Sequence, residues 1–238
     1  MTKLLCFHHA GGSPSAFRAW QTAAPPGIEV VPVELPTTRP VAGRRVHTGA
    51  REIVEHVLDK HAAALRERHA LYGHSMGGLL AYLVARSVLG SFEFARTCTL
   101  IVAASWSPRL RPITDVDALT DPELVELLAR IGGVPQSLLN RPEWLYPLLP
   151  LVRDDLRLCA DYQHDPVDDR LAIPVHVIGA REDRLVSAQQ IQGWAELSGY
   201  TTIEHQPGGH FFEASPEQLR ERVFELAAQS SAGAGGLI

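Results

Sequence analysis

A chain of 238 residues, 45 % of them hydrophobic and 21 % charged, suits one medium domain able to bury roughly 70 % of the surface its unfolded form exposes. That balance excludes a disordered chain, and a formal charge of −5 gives no support to nucleic-acid binding. No stretch approaches the ~20 apolar residues of a membrane span, and the opening Met1-Thr2-Lys3-Leu4-Leu5-Cys6-Phe7 falls short of a secretory leader, so a cytoplasmic protein is expected.

In chain order, the apolar run 3–8 predicts a strand that leads into His9-Ala10-Gly11-Gly12, and 28–35 predicts a second. A helix is expected over 52–65, a strand over 69–72 and an apolar helix over 79–89, with Gly73-His74-Ser75-Met76-Gly77 between the last two. A strand over 98–104 is followed by about 70 residues with no strand pattern, too many for one crossover connection. Helices are expected there over 122–130, after Thr120-Asp121, and over 144–162, with Gly132, Gly133 and Pro135 between them. The rhythm then resumes with a strand at 175–179, a helix at 187–197, a strand at 201–206 and a helix at 215–228. Ser187 with Gln190 and Ser215 with Gln218 have capping-box spacing, and Pro216 suits a first helical position. Short Val, Ile and Leu runs separated by helices predict an α/β fold with a mostly parallel, buried sheet. The expected domain is 1–229, with 106–173 as a helical insertion in it, either a lid over a site or a subdomain without a gating role, and 230–238 as a flexible tail.

Cys6, Cys98 and Cys159 are odd in number and lack C-x-x-C spacing, so they read as buried thiols in a reducing compartment. The stronger signal is Ser75. A serine between glycines two before and two after it, on a strand-to-helix turn, matches a nucleophile elbow, in which close chain approach forbids side chains at the flanking positions. The hydroxyl then needs a base and a third group to orient that base. His210, on Pro207-Gly208-Gly209-His210 after the last strand, is the candidate base; His164, His176 and His205 read as structural, and His74 as the variable position of the elbow. Asp183, in the loop leaving the penultimate strand, is the candidate acid, with Glu182 as its rival; Ser105-Trp106-Ser107-Pro108 carries no carboxylate to compete. The backbone N–H groups of Met76 and Ala10 are the candidate oxyanion donors. His8 and His9 have no third residue at a metal-ligand spacing, so no metal and no cofactor are expected.

Taken together, Cys6-Phe7-His8-His9-Ala10-Gly11-Gly12-Ser13 with Phe17 and Trp20, Gly73-His74-Ser75-Met76-Gly77-Gly78, Ile131-Gly132-Gly133-Val134-Pro135, the loop ending in Asp183 and Pro207-Gly208-Gly209-His210-Phe211-Phe212 resemble a type II thioesterase over nearly the whole chain. The resemblance implies an α/β-hydrolase fold and hydrolysis of acyl thioesters on the phosphopantetheine arm of acyl or peptidyl carrier proteins in polyketide and non-ribosomal peptide systems. It implies Ser75, Asp183 and His210 as catalytic residues, Met76 and Ala10 as the oxyanion hole, and carrier proteins as partners; a monomer is expected, and charge and hydropathy give no expectation of nucleic-acid or membrane binding. Two positions depart from the family: His8 replaces the usual proline, and Leu35-Pro36-Thr37-Thr38-Arg39-Pro40 replaces a proline-glycine-arginine segment. Release or cyclisation of one pathway's product, hydrolysis of soluble oxygen esters, and a ligand-binding role on the same fold are the alternative readings. Arg109 and Arg111 are candidate contacts for an acidic carrier protein.

Overall fold

The computed structural model describes residues 1–229 apart from 37–39, 42–43, 46–48, 92, 95, 111–114, 135 and 168–169. The expected tail 230–238, Thr37, Thr38, Arg39, Arg111 and Pro135 therefore lie outside the described residues. In chain order the structure runs β1 (Thr2–Phe7), α1 (Arg18–Ala23), β2 (Ile28–Pro32), a short antiparallel ribbon of β3 (Pro40–Val41) and β4 (Arg44–Arg45), α2 (Ala50–Lys60), α3 (Ala62–Arg66), β5 (His69–His74) and α4 (Met76–Leu89). It continues with β6 (Thr97–Ala103), α5 (Asp121–Arg130), α6 (Gln136–Leu139), α7 (Pro142–Leu145), α8 (Leu149–Asp161), β7 (Val175–Ala180), α9 (Ala188–Gln192), β8 (Thr201–Gln206) and α10 (Pro216–Gln229).

Six strands form one sheet in the order β2-β1-β5-β6-β7-β8, every neighbouring pair parallel. Alternation along β1 sends Leu5 and Phe7 to the face covered by α2 and α4, and Leu4 and Cys6 to the face covered by α1 and α10. A sheet covered on both faces needs apolar residues on both, which is why its strands read as continuous apolar runs. The chain leaves β1 for β2 on one side and returns to β5 on the other. This reversal opens a crevice at the C-terminal ends of β1 and β5, where open α/β sheets bind ligands.

Four differences from the expected elements have local causes. Strand β5 runs on through Gly73 and His74, because Gly73 pairs with Phe7 of β1 and His74 with Ala103 of β6. Helix α4 starts at Met76 rather than residue 79: glycine is a poor helix former, but a Cβ at Gly77 would overlap the Phe7 and His8 carbonyls, and one at Gly78 would strike Ser105. The expected helix 52–65 is broken at His61, whose Nε2 accepts the Glu34 N–H at 3.3 Å. The box expected at Ser215 does not form. Its N–H is already donated to the Phe212 carbonyl at 3.1 Å, leaving Gln218 nothing to reach back to, and the Ser215 hydroxyl is buried without a partner.

Between β6 and β7, α5 to α8 gather a second apolar cluster, with Leu124, Leu128, Leu145 and Leu149 among its members. The helix expected over 144–162 is divided, because Pro147 and Pro150 withhold the N–H groups that an unbroken helix would use. Helix α5 carries a capping box absent from the sequence reading: the Glu123 carboxylate accepts the Thr120 N–H at 2.8 Å and its hydroxyl at 2.7 Å. The box expected at Ser187 is present, with Gln190 Oε1 accepting the Ser187 N–H at 2.9 Å. Among the described residues no helix is long and apolar enough to cross a membrane.

Gly77→Ala should cost about 3 kcal/mol or more in urea unfolding, since the new methyl group meets backbone carbonyls rather than a side chain that can swing away. Gly199→Ala, in an exposed turn with nothing within 4 Å of the added Cβ, is the control and should change stability little.

Candidate active site

Ser75 sits between β5 and α4 at φ 55° and ψ −119°, a conformation that costs a non-glycine residue about 1–3 kcal/mol. Packing holds it there. Its N–H is donated to Ala103 O at 2.9 Å, its carbonyl accepts the Gly78 N–H at 2.8 Å, and a Cβ at Gly73 would overlap the Gly77 carbonyl. Met76 follows as the first residue of α4, so its N–H belongs to the donors that an α-helix leaves unpaired at its start.

The structure brings Ser75, His210 and Asp183 together. His210 Nδ1–H donates to Asp183 Oδ2 at 2.9 Å, which leaves Nε2 as the acceptor for the Ser75 hydroxyl at 2.9 Å. The second Asp183 oxygen accepts the N–H groups of Leu185 at 2.8 Å and Val186 at 3.0 Å. The Asp183 and His210 side chains are 2 % and 1 % exposed, so this carboxylate is desolvated and held in place by three N–H donors. Serine hydroxyl, imidazole nitrogen and carboxylate form one hydrogen-bonded line, the arrangement that lets a base take the hydroxyl proton while the acid holds its tautomer.

Glu182, the rival acid, points elsewhere. Its carboxylate accepts the Gly208 N–H and its own N–H is donated to Gly208 O at 3.0 Å, zipping the Asp183 loop to the His210 loop. Gly208 at φ 107° and Phe212 at φ 54° give the second loop its turn. His164, His176 and His205 are remote from this line; His176 Nδ1, for example, pairs with Thr202 Oγ1 at 2.7 Å. His74, the variable position of the elbow pattern, has a specific contact: its buried Nε2–H donates to the His210 carbonyl at 2.8 Å. Nothing in the elbow spacing signals that bond, because its acceptor lies 136 residues away.

A cavity of ≈ 40 Å³ lies beside Ser75 and His210, with His9 and Ala10 also lining it. Its walls are apolar: Trp106 from the loop after β6, Leu127 and Ile131 from α5 and the turn that ends it, Val152, Leu156 and Cys159 from α8, and Phe211. Phe211 packs edge-on against His9, His74 and His210, with centroids 4.9 to 5.3 Å apart. Burial, with the neighbouring His8 and His210 rings, lowers His9 from its ordinary 6.5 to about 4. Burial also holds His74 well below its usual range, His210 and His9 adding to the effect, and lowers His8. No three His, Cys, Asp or Glu side chains among the described residues cluster as a metal site requires.

His74→Ala removes the bond that anchors the His210 backbone and should lower turnover by up to about 10²-fold with KM little changed, a misplacement effect that steady-state kinetics would separate from weakened binding. A second expectation concerns acid. The folded chain keeps His9 neutral between pH 6.5 and 4 while the unfolded chain protonates it, so stability is full above 6.5 and is lost as pH falls towards 4. The contribution is at most about 3 kcal/mol, and His9→Gln should flatten the pH dependence of the urea midpoint across that window.

A family model for the thioesterase domain matches residues 2–230. The gramicidin S biosynthesis protein GrsT of Aneurinibacillus migulanus is 29 % identical over 212 residues, covering 88 % of this chain and 82 % of that protein. Among solved structures, the RedJ thioesterase from the prodiginine biosynthetic pathway in Streptomyces coelicolor superposes with a TM-score of 0.83 at 32 % identity, covering 94 % of this chain and 89 % of RedJ. The type II thioesterase BorB from the borrelidin biosynthetic cluster superposes with a TM-score of 0.80 at 26 % identity, covering 96 % of this chain and 92 % of BorB. A six-stranded parallel sheet, a strained serine at its switch point and a family match along nearly the whole length lead to one conclusion: the chain belongs to the thioesterase domain family and is a thioester hydrolase.

Proposed function

We infer that the protein removes acyl groups from the phosphopantetheine arm of acyl or peptidyl carrier proteins in a polyketide or non-ribosomal peptide pathway, clearing carriers that have stalled. The carrying observation is the Ser75–His210–Asp183 line, with bonds of 2.9 and 2.9 Å, beside an apolar cavity. The pathway class is supported by relatives whose own names link them to gramicidin S, prodiginine and borrelidin biosynthesis.

Each step follows from a named group. Ser75 Oγ attacks the thioester carbonyl as its proton passes to His210 Nε2, and Asp183 stabilises the imidazolium that results. The tetrahedral oxyanion is met by the N–H groups of Met76, at the start of α4, and Ala10, which lines the cavity. Collapse expels the pantetheine sulfur, which takes the proton from His210. Water then attacks the acyl-serine with His210 again as base, and the free acid leaves. Every charge that develops is met by a protein group, so the reading calls for no resident cofactor or metal.

All three cysteines are free, in keeping with action in the reducing cytoplasm, and the chain is taken to act as a monomer. Arg109, a candidate for carrier docking, is paired with Glu196 at 2.5 Å, which reduces the charge it offers a partner.

The test follows acyl release by mass from an acyl-carrier protein and from the same acyl group on N-acetylcysteamine. Carrier-bound substrate should show the higher specificity constant, with an advantage that shrinks as salt rises. Ser75→Ala should abolish release without unfolding, and Asp183→Asn should cost on the order of 10⁴ in turnover. Equal specificity constants at low salt, with faster cleavage of soluble oxygen esters, would replace this reading with a general ester hydrolase.

A further inference from the structure

The loop from His8 to Gly12 lies outside any helix or strand, yet the proposed mechanism asks its Ala10 N–H to hold one direction. Rigidity comes from hydrogen bonds on either side of that N–H. The His9 carbonyl accepts two donors, the Gly12 N–H at 3.0 Å and His8 Nδ1–H at 2.9 Å. His9 C=O and Ala10 N–H belong to one planar trans peptide and point in opposite directions, so fixing the carbonyl on one side fixes the N–H on the other. His8, where the resemblance leads one to expect proline, therefore replaces a locked ring with a side-chain hydrogen bond.

The next peptide is fixed from outside the loop. Gly11 N–H donates to Asp155 Oδ2 at 2.8 Å, across 144 residues of sequence, and Asp155 belongs to α8 of the helical insertion. Gly11, at φ 72°, lies so close to that helix that a Cβ there would stand 2.6 Å from Val152 Cγ2. Val152, Leu156 and Cys159, on the same helix, wall the cavity. One helix thus both encloses the acyl group and grips the loop that carries an oxyanion donor.

We propose that Asp155 is a positioning residue that couples the insertion to the oxyanion hole, so that the Ala10 N–H is aligned only while α8 is seated over Ser75. The coupling rests on the oxyanion role given to Ala10 above. When α8 lifts to admit a substrate, the Gly11 bond opens and the donor loses its alignment. Reseating α8 restores the donor and closes the apolar wall in the same movement, so an acyl group that holds the helix open is bound but turned over slowly.

The experiment compares wild type, Ser75→Ala, Asp155→Ala and Asp155→Asn on an acyl N-acetylcysteamine thioester, with a boronic acid as tetrahedral-intermediate mimic. Wild-type turnover that Ser75→Ala abolishes establishes the hydrolase reading independently; its absence would fail that reading and this coupling together. Given that turnover, Asp155→Ala should lose about 10- to 100-fold in kcat with KM within about twofold, and its boronate affinity should fall in parallel. Asp155→Asn keeps an oxygen acceptor for the Gly11 N–H and should recover most of both. Wild-type kcat in folded Asp155→Ala, unchanged boronate affinity, or an Asp155→Asn as impaired as the alanine variant would each overturn the coupling while leaving the hydrolase reading intact.

Discussion

The whole site depends on how closely the first turn of α4 approaches the ends of β1 and β5. Three positions, Gly73, Gly77 and Gly78, have no room for a methyl group, because their neighbours are the backbone carbonyls of Gly77, Phe7 and His8 and the side chain of Ser105. That proximity forces the chain through the unusual angles of Ser75 and aims the start of a helix at its hydroxyl. The strain is local, and the burial that opposes it is extensive: every residue of α4 from Met76 to Tyr82 is buried, as are Val84, Ala85 and Val88. A helix so enclosed cannot relax away from the sheet, so the serine stays where the imidazole meets it.

Around this fixed point the other groups are held by loops that secure one another. Asp183 is saturated by Leu185, Val186 and His210; Glu182 clasps Gly208; His74 holds the His210 carbonyl. Apart from His74, at the end of β5, these groups lie outside helices and strands, so their precision comes from hydrogen bonds to desolvated partners, whose loss leaves a buried polar group unpaired. Neutral His8, His9 and His74 suit the same crowded ground, because a second imidazolium beside His210 would oppose the charge that the proposed chemistry develops.

Features of short range along the chain were legible in the sequence. Strand β8 has the expected bounds, and the Ser187 box, the glycines that flank Ser75 and the loop positions of Asp183 and His210 follow from local pattern. The start of α4 was not, because intrinsic propensity argues against Gly77 and Gly78 in a helix and only their packing explains them. Nor was the failed box at Ser215, where a competing turn at Phe212 claims the N–H that the pattern requires. The roles of His74 and Glu182 depend on acceptors and donors far along the chain, and Phe211 gains its importance from three rings contributed by three separate segments. Sequence spacing reports neighbours along the chain; these residues work through neighbours across it.

The insertion's core is not self-contained. Its leucine cluster is completed by Leu185 and Phe211, which come from the sheet's own loops and lie two residues from Asp183 and one from His210. The insertion and the sheet therefore form a single packing unit, although they look like separable modules in the chain order. Exchanging α5 to α8 between relatives to change the acyl group accepted would replace the partners of Leu185 and Phe211 while leaving those two behind. A productive chimera has to carry the matching residues at 185 and 211 along with the helices, so the seam of a transplant lies inside the site and not at the insertion's ends in sequence.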